Sequence, residues 1–151
     1  MTRYLVDTNI LLLYIRQDSR VPAIDAAYNP LAASATSIIS VVTEGELRSI
    51  ALQRNWGTSK SAALEAMLKK FLIADIHIQE IIAAYAEIDA FSQGKLQARP
   101  LGMTARSMGK NDLWIAATAS VLKLPLLTTD KDFQHLDGIY LDLAFIDLAI
   151  I

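Results

Sequence analysis

Residues 3–15 have the sequence RYLVDTNILLLYI, and this stretch carries most of the information about the fold. Arg3 to Val6 form a short, mainly apolar run that ends at Asp7. From Ile10 to Ile15 the apolar side chains follow one another too densely for a strand that alternates between core and solvent. We therefore predict a buried strand at residues 3–6 and a helix that begins near Asn9.

The same succession of strand and helix recurs further along the chain. Thr36 to Ser40 is a run with β-branched residues, and a helical pattern follows it from Val41 to Arg54. Short apolar strands that alternate with helices are typical of an α/β domain with a mainly parallel sheet, for which we expect four or five strands. The other predicted elements are a helix at 59–74, a strand at 75–78, a helix at 79–92 closed by Gly94, an irregular loop at 95–109, a helix at 113–124, and strands at 125–130 and 139–143.

Length and composition predict one domain over residues 1–151. The chain has 53% hydrophobic residues, enough for a single core, and it contains no cysteine. Disulfides, thiolate nucleophiles and cysteine-ligated metals are therefore excluded, which agrees with a reducing cytoplasm. The N-terminus lacks the layout of a secretion signal, and the longest apolar run, Ile10 to Ile15, is far shorter than the roughly 20 residues that span a bilayer. We expect a cytoplasmic protein with no membrane association.

The charge balance limits the ways in which the chain could bind a polynucleotide. A formal net charge of -2 and a pI near 5.6 argue against a broad basic surface. A nucleic acid would need a local basic patch or a bound cation. The positive mean hydropathy, +0.32, is explained equally well by a buried partner interface or by a well-filled core.

Four acidic residues stand where this architecture brings side chains together. Asp7 ends the first strand and Asp130 ends the strand at 125–130, while Glu46 and Asp112 lie in the first turns of helices. Because the carboxyl ends of parallel strands meet at one edge of a sheet, all four can face one cleft. Clustered carboxylates repel one another unless they bind protons or a cation, and hard oxygen ligands select Mg²⁺ or Mn²⁺. Attack of water on a phosphodiester is the chemistry natural to such a site.

Each of these acids also has a purely local explanation. Asp7 can cap the helix that follows it, and Thr43 with Glu46 has the spacing of a capping box. Asn111 or Asp112 can be an N-cap in the same way, and Asp130 with Asp132 can form an Asx turn that leads into Phe133. For any single acid the local explanation is as good as the functional one.

Four sequence blocks together resemble the PIN-domain nucleases, in particular the VapC-type toxins of bacterial toxin-antitoxin pairs. The blocks are LVDTNILL at 5–12, ISVVTEGEL at 39–47, NDLWIAATA at 111–119 and LLTTDKDF at 126–133, in the order of the family. The resemblance implies a three-layer α/β/α sandwich with a mainly parallel sheet, and Mg²⁺- or Mn²⁺-dependent endoribonuclease activity on RNA. It also implies a homodimer and inhibition by a small antitoxin protein.

The resemblance further implies roles for individual residues. Asp7, Asp112 and Asp130 become metal ligands, and Glu46 becomes the fourth catalytic acid. Glu44 is the alternate for Glu46, and Asp132 is the alternate for Asp130. Glu46 is preferred because it directly precedes Leu47 in the block, whereas Glu44 should point about 200° away around the helix. The polar side chains that would orient the acids are Thr8, Asn9 and Thr128.

Several other polar residues are candidates of a weaker kind. Arg99, Arg106 and Lys110 precede Asp112 and are possible RNA contacts, although solvated loop charge explains them at least as well. His77 is expected in an apolar strand and His135 in a surface turn, and neither has a partner that would make it a general base.

Two other functions are compatible with parts of this pattern. A haloacid dehalogenase-like phosphatase also uses an aspartate at the end of the first strand, but it requires a second aspartate where this chain has Asn9. A non-catalytic PIN module that binds RNA or acts as a scaffold is the other alternative, and the intact set of acids argues against it.

Overall fold

A computed structural model describes residues 3–33 and 36–151, in which five strands, six α-helices and one 3-10 helix are present. In chain order these elements are β1 Leu5–Val6, α1 Thr8–Ile15, α2 Val21–Ala27, β2 Ile38–Ser40, α3 Val41–Gln53, α4 Thr58–Leu68, β3 Leu72–Ala74, α5 Gln79–Ser92, α6 Lys110–Leu122, β4 Leu126–Thr128, the 3-10 helix Lys131–Leu136 and β5 Leu143–Phe145. No helix of the described residues is long and apolar enough to cross a membrane.

The strands form one sheet in the order β3-β2-β1-β4-β5, and every pairing is parallel. The predicted parallel α/β sheet is therefore confirmed. From β1 the chain builds one half of the sheet through β2 and β3, and later builds the other half through β4 and β5. The boundary between β1 and β4 is the point where the direction of building reverses, which is where open α/β sheets bind ligands.

Helices cover both faces of the sheet, so the domain has three layers. Because successive strand residues point to opposite faces, Val6 and Leu127 pack in a core with residues of α1, α2, α3 and α4. Leu5 and Leu126, one position earlier on each strand, pack in a second core with α5, α6 and the 3-10 helix. The α/β/α sandwich expected from the resemblance is confirmed.

Two strands at the edges of the sheet are shifted from their predicted positions, and one helix was not predicted. The helix predicted at 59–74 ends at Leu68, and the following strand is Leu72–Ala74, not 75–78. The apolar residues of this strand continue the helical pattern of α4, so the sequence alone did not separate the strand from the helix. The last strand begins at Leu143 because residues 137–141 form a turn with Gly138 at a φ of 76°. The unpredicted helix is α2, which has a proline in its first turn.

The N-terminal ends of α1 and α3 test the local explanations for Asp7 and Glu46. Asp7 caps α1, which begins at Thr8, one residue before the predicted start, and its carboxylate accepts a hydrogen bond from the Thr8 amide. Ser40 caps α3 through the Val42 amide, so the proposed capping box of Thr43 and Glu46 is wrong. Both of those residues lie inside the helix, beyond the cap.

For the other two acids, the local explanation fails at Asp112 and holds at Asp130. Gly109 occupies the N-cap position of α6, so neither Asn111 nor Asp112 caps this helix, contrary to the local explanation. Asp130 does form the expected turn, because its carboxylate accepts a hydrogen bond from the Asp132 amide at the start of the 3-10 helix. Gly94 has a φ of 71° directly after α5, in agreement with its predicted role in ending that helix.

Candidate metal-binding active site

The acidic residues gather at the carboxyl ends of β1 and β4, the two strands at the centre of the sheet. Val6 pairs with Leu127, and the amide of Asp7 donates a hydrogen bond to the Leu127 carbonyl oxygen at 3.0 Å. Asp7 is thereby held directly beside the chain that leads to Asp130. The sheet register, not local sequence, brings these two positions together.

The Asp7 carboxylate is 3% exposed and both of its oxygens accept hydrogen bonds. One oxygen accepts from the Thr8 amide at 2.8 Å, and the other accepts from the Thr128 hydroxyl at 2.7 Å. The Thr128 hydroxyl oxygen in turn accepts a hydrogen bond from the Asp130 amide at 3.0 Å. Thr128 therefore links Asp7 to Asp130 through its hydroxyl group. A side chain that orients the acids would make contacts of this kind.

The hydroxyl groups of Thr8 and Thr43 form a hydrogen-bonded chain that holds Glu46. The Thr8 hydroxyl donates a hydrogen bond to Glu46 Oε1 at 2.8 Å. The Thr8 hydroxyl oxygen also lies 3.0 Å from the hydroxyl oxygen of Thr43, which is fully buried in α3. A carboxylate can only accept, so the single Thr8 hydrogen points to Glu46 and the Thr43 hydroxyl donates to Thr8. Thr43 was not among the predicted orienting residues. The signal was available, since it lies one helical turn before Glu46 in the same sequence block.

Glu44 faces away from this network. Its carboxylate binds Arg48 at 2.8 Å, and Arg48 also binds Glu65 of α4. The two positions on α3 thus point in different directions, as their separation of about 200° around the helix implies. Glu46 is the acid that shares hydrogen bonds with the residue next to Asp7.

Asp112, Asp130 and Asp132 form the closest group of potential metal ligands in the described residues. One carboxylate oxygen from each lies within 4.8 Å of the others. Asp112 and Asp130 are half-buried and Asp132 is exposed. Asp132, which the sequence suggested only as an alternate for Asp130, stands beside it, because the turn at Asp130 directs both carboxylates into the group. Asp7 is outside this group of three at that distance limit.

Burial and the charges of neighbouring acids both raise the pKa values of Asp112 and Asp7. Burial, followed by the negative charges of Asp7, Asp130, Glu46 and Asp132, raises the pKa of Asp112 to about 7. Burial also raises the pKa of Asp7 to about 6, although its hydrogen bonds from Thr128 and Thr8 act in the opposite direction. The group therefore favours binding a proton or a cation over staying fully ionised. All of its ligand atoms are oxygens, the donor set that Mg²⁺ and Mn²⁺ prefer.

The remaining predicted polar residues lie at different places around this site. Arg106 and Asp132 line the same groove, of about 290 Å³, and Lys110 is the exposed first residue of α6. The guanidinium of Arg99 instead lies over the Tyr140 ring, 4.8 Å from its centroid. Asn9 is exposed in the first turn of α1.

The expectations for the environments of the two histidines are wrong. His135 is 5% exposed, not in a surface turn, and its Nε2 lies 2.7 Å from the Ser92 hydroxyl oxygen. Its burial lowers its pKa. His77 is exposed and follows β3, so it is not part of a strand.

The chain belongs to the PIN domain family, whose sequence profile matches residues 4–139. Over 38 residues it is 50% identical to ribonuclease VapC5 of Mycobacterium tuberculosis, and this match spans 25% of the chain and 28% of that relative's length. The fold is similar to VapBC2 of Rickettsia felis, with a TM-score of 0.70 and 23% identity over 94% of this chain and 98% of the other. VapBC-1 of nontypeable Haemophilus influenzae gives a TM-score of 0.67 and 27% identity over 89% and 92%. The family assignment leaves no support for the phosphatase alternative.

The raised pKa of Asp112 predicts a pH-dependent gain in stability for Asp112→Asn. An acid whose pKa rises from 3.8 to about 7 on folding stabilises the folded state below its unfolded pKa, and this contribution is lost as pH rises through the folded pKa. Without divalent metal, the variant should therefore gain at least about 1 kcal/mol, or roughly 3 °C in Tm, near pH 8 and little near pH 4. Thermal melts in EDTA across this range measure the effect.

Asp142→Asn is the matched control, because Asp142 is exposed and lies outside the acidic group. It should show no comparable gain. Equal Tm changes for the two variants, or a gain for Asp112→Asn that does not grow with pH, would contradict the electrostatic analysis.

Proposed function

We propose that this protein is a metal-dependent endoribonuclease of the VapC type, formed by one PIN-like domain over residues 1–151. The observation that carries the proposal is the group of Asp112, Asp130 and Asp132 oxygens within 4.8 Å, next to the buried Asp7 and the hydrogen-bonded Glu46. Such a concentration of carboxylates, with two raised pKa values, is what a divalent cation would stabilise.

Asp7, Asp112 and Asp130 would hold Mg²⁺ or Mn²⁺, with Asp132 as a further ligand within reach. A bound cation supplies activation of water and neutralisation of phosphate charge. The protein's part is to position the groups: Thr128 and the Thr8 amide fix the Asp7 carboxylate, and the Thr8 hydroxyl fixes Glu46. With Oε1 engaged by Thr8, the Oε2 atom of Glu46 is the atom we assign to accept a proton from the attacking water.

The RNA would be held locally, because the net charge of -2 offers no broad attraction for a polyanion. Arg106 is the best placed cation, since it lines a groove together with Asp132, and Lys110 begins the helix that carries Asp112. We propose that these two side chains contact phosphates on either side of the cleavage point. Arg99 is a weaker candidate because it already contacts Tyr140.

We also propose a small antitoxin protein as a partner, on the basis of the resemblance to VapC-type toxins. The VapBC proteins among the matched structures have the same fold, and this similarity extends over nearly the whole chain.

Divalent metal should be required for cleavage. RNA cleavage should stop in EDTA and return when Mg²⁺ or Mn²⁺ is added in excess, because the described acidic group offers only oxygen ligands. Gel analysis of labelled single-stranded and structured RNA measures this, with Asp112→Asn prepared in parallel to detect contaminating nucleases. Undiminished activity in chelator, present in the wild type and absent from the variant, would rule out the proposed metal dependence.

Glu46→Gln and Glu44→Gln should separate the two candidate acids. Glu46→Gln removes the proposed proton acceptor and should lower the cleavage rate about 10²-fold or more, with its Tm in EDTA unchanged or higher. Glu44→Gln loses an exposed ion pair with Arg48 and should keep most of the activity. Cleavage rates and melting curves on both variants are needed, and an active Glu46→Gln beside an inactive Glu44→Gln would show that Glu44 is the functional acid.

A homodimer is the assembly we propose for the chain. The edge strand β3 exposes Leu72 and Ile73, at 54% and 43%, and Ile78 follows it at 39%, so this edge of the sheet presents apolar side chains to solvent. Light scattering at micromolar concentration should give the mass of two chains, and Ile73→Lys should lower it. A wild-type monomer under these conditions would refute the dimer.

A further inference from the structure

A surface groove of about 460 Å³ runs along α3 beside the acidic site, and apart from Glu46 its residues have no role in the function proposed so far. Its size is within the range of about 300–1,000 Å³ that is usual for small-molecule pockets. Glu46 is one of the residues that line the groove. Asn111, which directly precedes Asp112 on α6, also lines it. The groove therefore opens directly onto the acids.

The lining of the groove has the chemistry of a base-binding site and not of a phosphate-binding site. Apart from Glu46 its side chains are uncharged, with Ile50 as part of an apolar wall and with the amides of Gln53 and Asn111. A phosphate would call for arginine or lysine. A planar base that packs on an apolar wall and hydrogen-bonds along its edge to amides fits these groups.

The polar edge of the groove is already ordered within α3. The Gln53 Nε2 atom donates a hydrogen bond to the Ser49 hydroxyl oxygen at 2.8 Å. This contact engages Nε2 and leaves the Gln53 Oε1 atom available to accept a hydrogen bond from a ligand. An amide oriented in this way can discriminate between bases that present a donor and bases that present an acceptor.

Gly45 supplies an independent indication that the groove is kept open for a ligand. It lies in the interior of α3, where glycine destabilises a helix by roughly 0.5–1 kcal/mol relative to alanine. A Cβ atom added there would meet no protein atom within 4 Å. Packing within the described chain therefore does not require glycine, whereas a ligand in the groove would.

We infer that this groove binds the base of the RNA nucleotide next to the scissile phosphate, and that Gln53 and Asn111 contribute to the base preference of cleavage. The inference rests on the proposed ribonuclease activity. A strand whose phosphate lies at the acids and whose next base lies along α3 would pass Asn111 and Glu46 in turn.

Gly45→Leu tests the groove by filling it without disturbing the helix. The variant should have an equal or higher Tm, because leucine favours the helix, but its kcat/KM on single-stranded RNA should fall about tenfold to hundredfold. Ala66→Leu places the same leucine side chain on the exposed surface of α4 and should keep the wild-type kcat/KM. A Gly45→Leu variant as active as Ala66→Leu would overturn the inference.

Gln53→Ala tests the assignment of base recognition. Cleavage of short RNAs that differ only in the base next to the cut should show a changed order of preference for the four bases, with a smaller change in the rate on the best substrate. An unchanged order of preference in both Gln53→Ala and Asn111→Ala would remove these residues from base recognition.

Ultraviolet crosslinking makes the test independent of catalysis. Mixed-sequence single-stranded RNA, crosslinked to the wild type in EDTA, should modify peptides of α3 that include residues 45–53, and Gly45→Leu should reduce this product. If wild-type protein with Mg²⁺ or Mn²⁺ cleaves no RNA but crosslinks through α3, the proposed activity fails and the groove assignment stands. Crosslinks elsewhere and none on α3 would overturn the assignment of the groove as a base-binding site. If Gly45→Leu cleaves RNA as the wild type does but no longer binds a protein inhibitor, the assignment is overturned as well.

Discussion

The repulsion between carboxylates at the ends of β1 and β4 is the constraint around which this structure is organised. Burial and the nearby charges of Asp7, Asp130, Glu46 and Asp132 together raise the pKa of Asp112 to about 7. The fold opposes this repulsion with hydrogen bonds from neutral donors, among them the Thr128 and Thr8 hydroxyls. These donors hold the acids in place without neutralising them, so the negative potential remains available to a cation.

The local and the functional explanations of the acids turn out to be complementary for two of them. Asp7 caps α1 and Asp130 caps the 3-10 helix, and both belong to the acidic site. Helix N-termini carry partial positive charge, which stabilises carboxylates at the point where the strands deliver them. A cap uses one or two lone pairs of a carboxylate that has about four, so capping leaves room for a metal ion.

The elements at the centre of the sheet were easier to predict than those at its edges. β1, β2 and β4 are flanked by neighbouring strands and covered by helices, so their apolar runs are distinct in the sequence. Strand β3 lies at an edge with Leu72 and Ile73 exposed, and its apolar residues continue those of α4. Sequence periodicity contains no signal that separates a short edge strand from the helix before it, and pairing with β2 makes that decision.

The sequence by itself determined the alternation of strands and helices, the set of acids and the preference for Glu46, because these depend on residue type and on spacing within one element. Only the tertiary structure decided that Asp132 joins Asp112, that Thr43 supports Thr8, and that His135 is buried against Ser92. Each of these contacts joins residues of different elements; Thr8 and Thr43 are 35 positions apart, and Ser92 and His135 are 43 apart. The register of the sheet and the packing of helices on its two faces create such contacts, and no spacing along the chain encodes them.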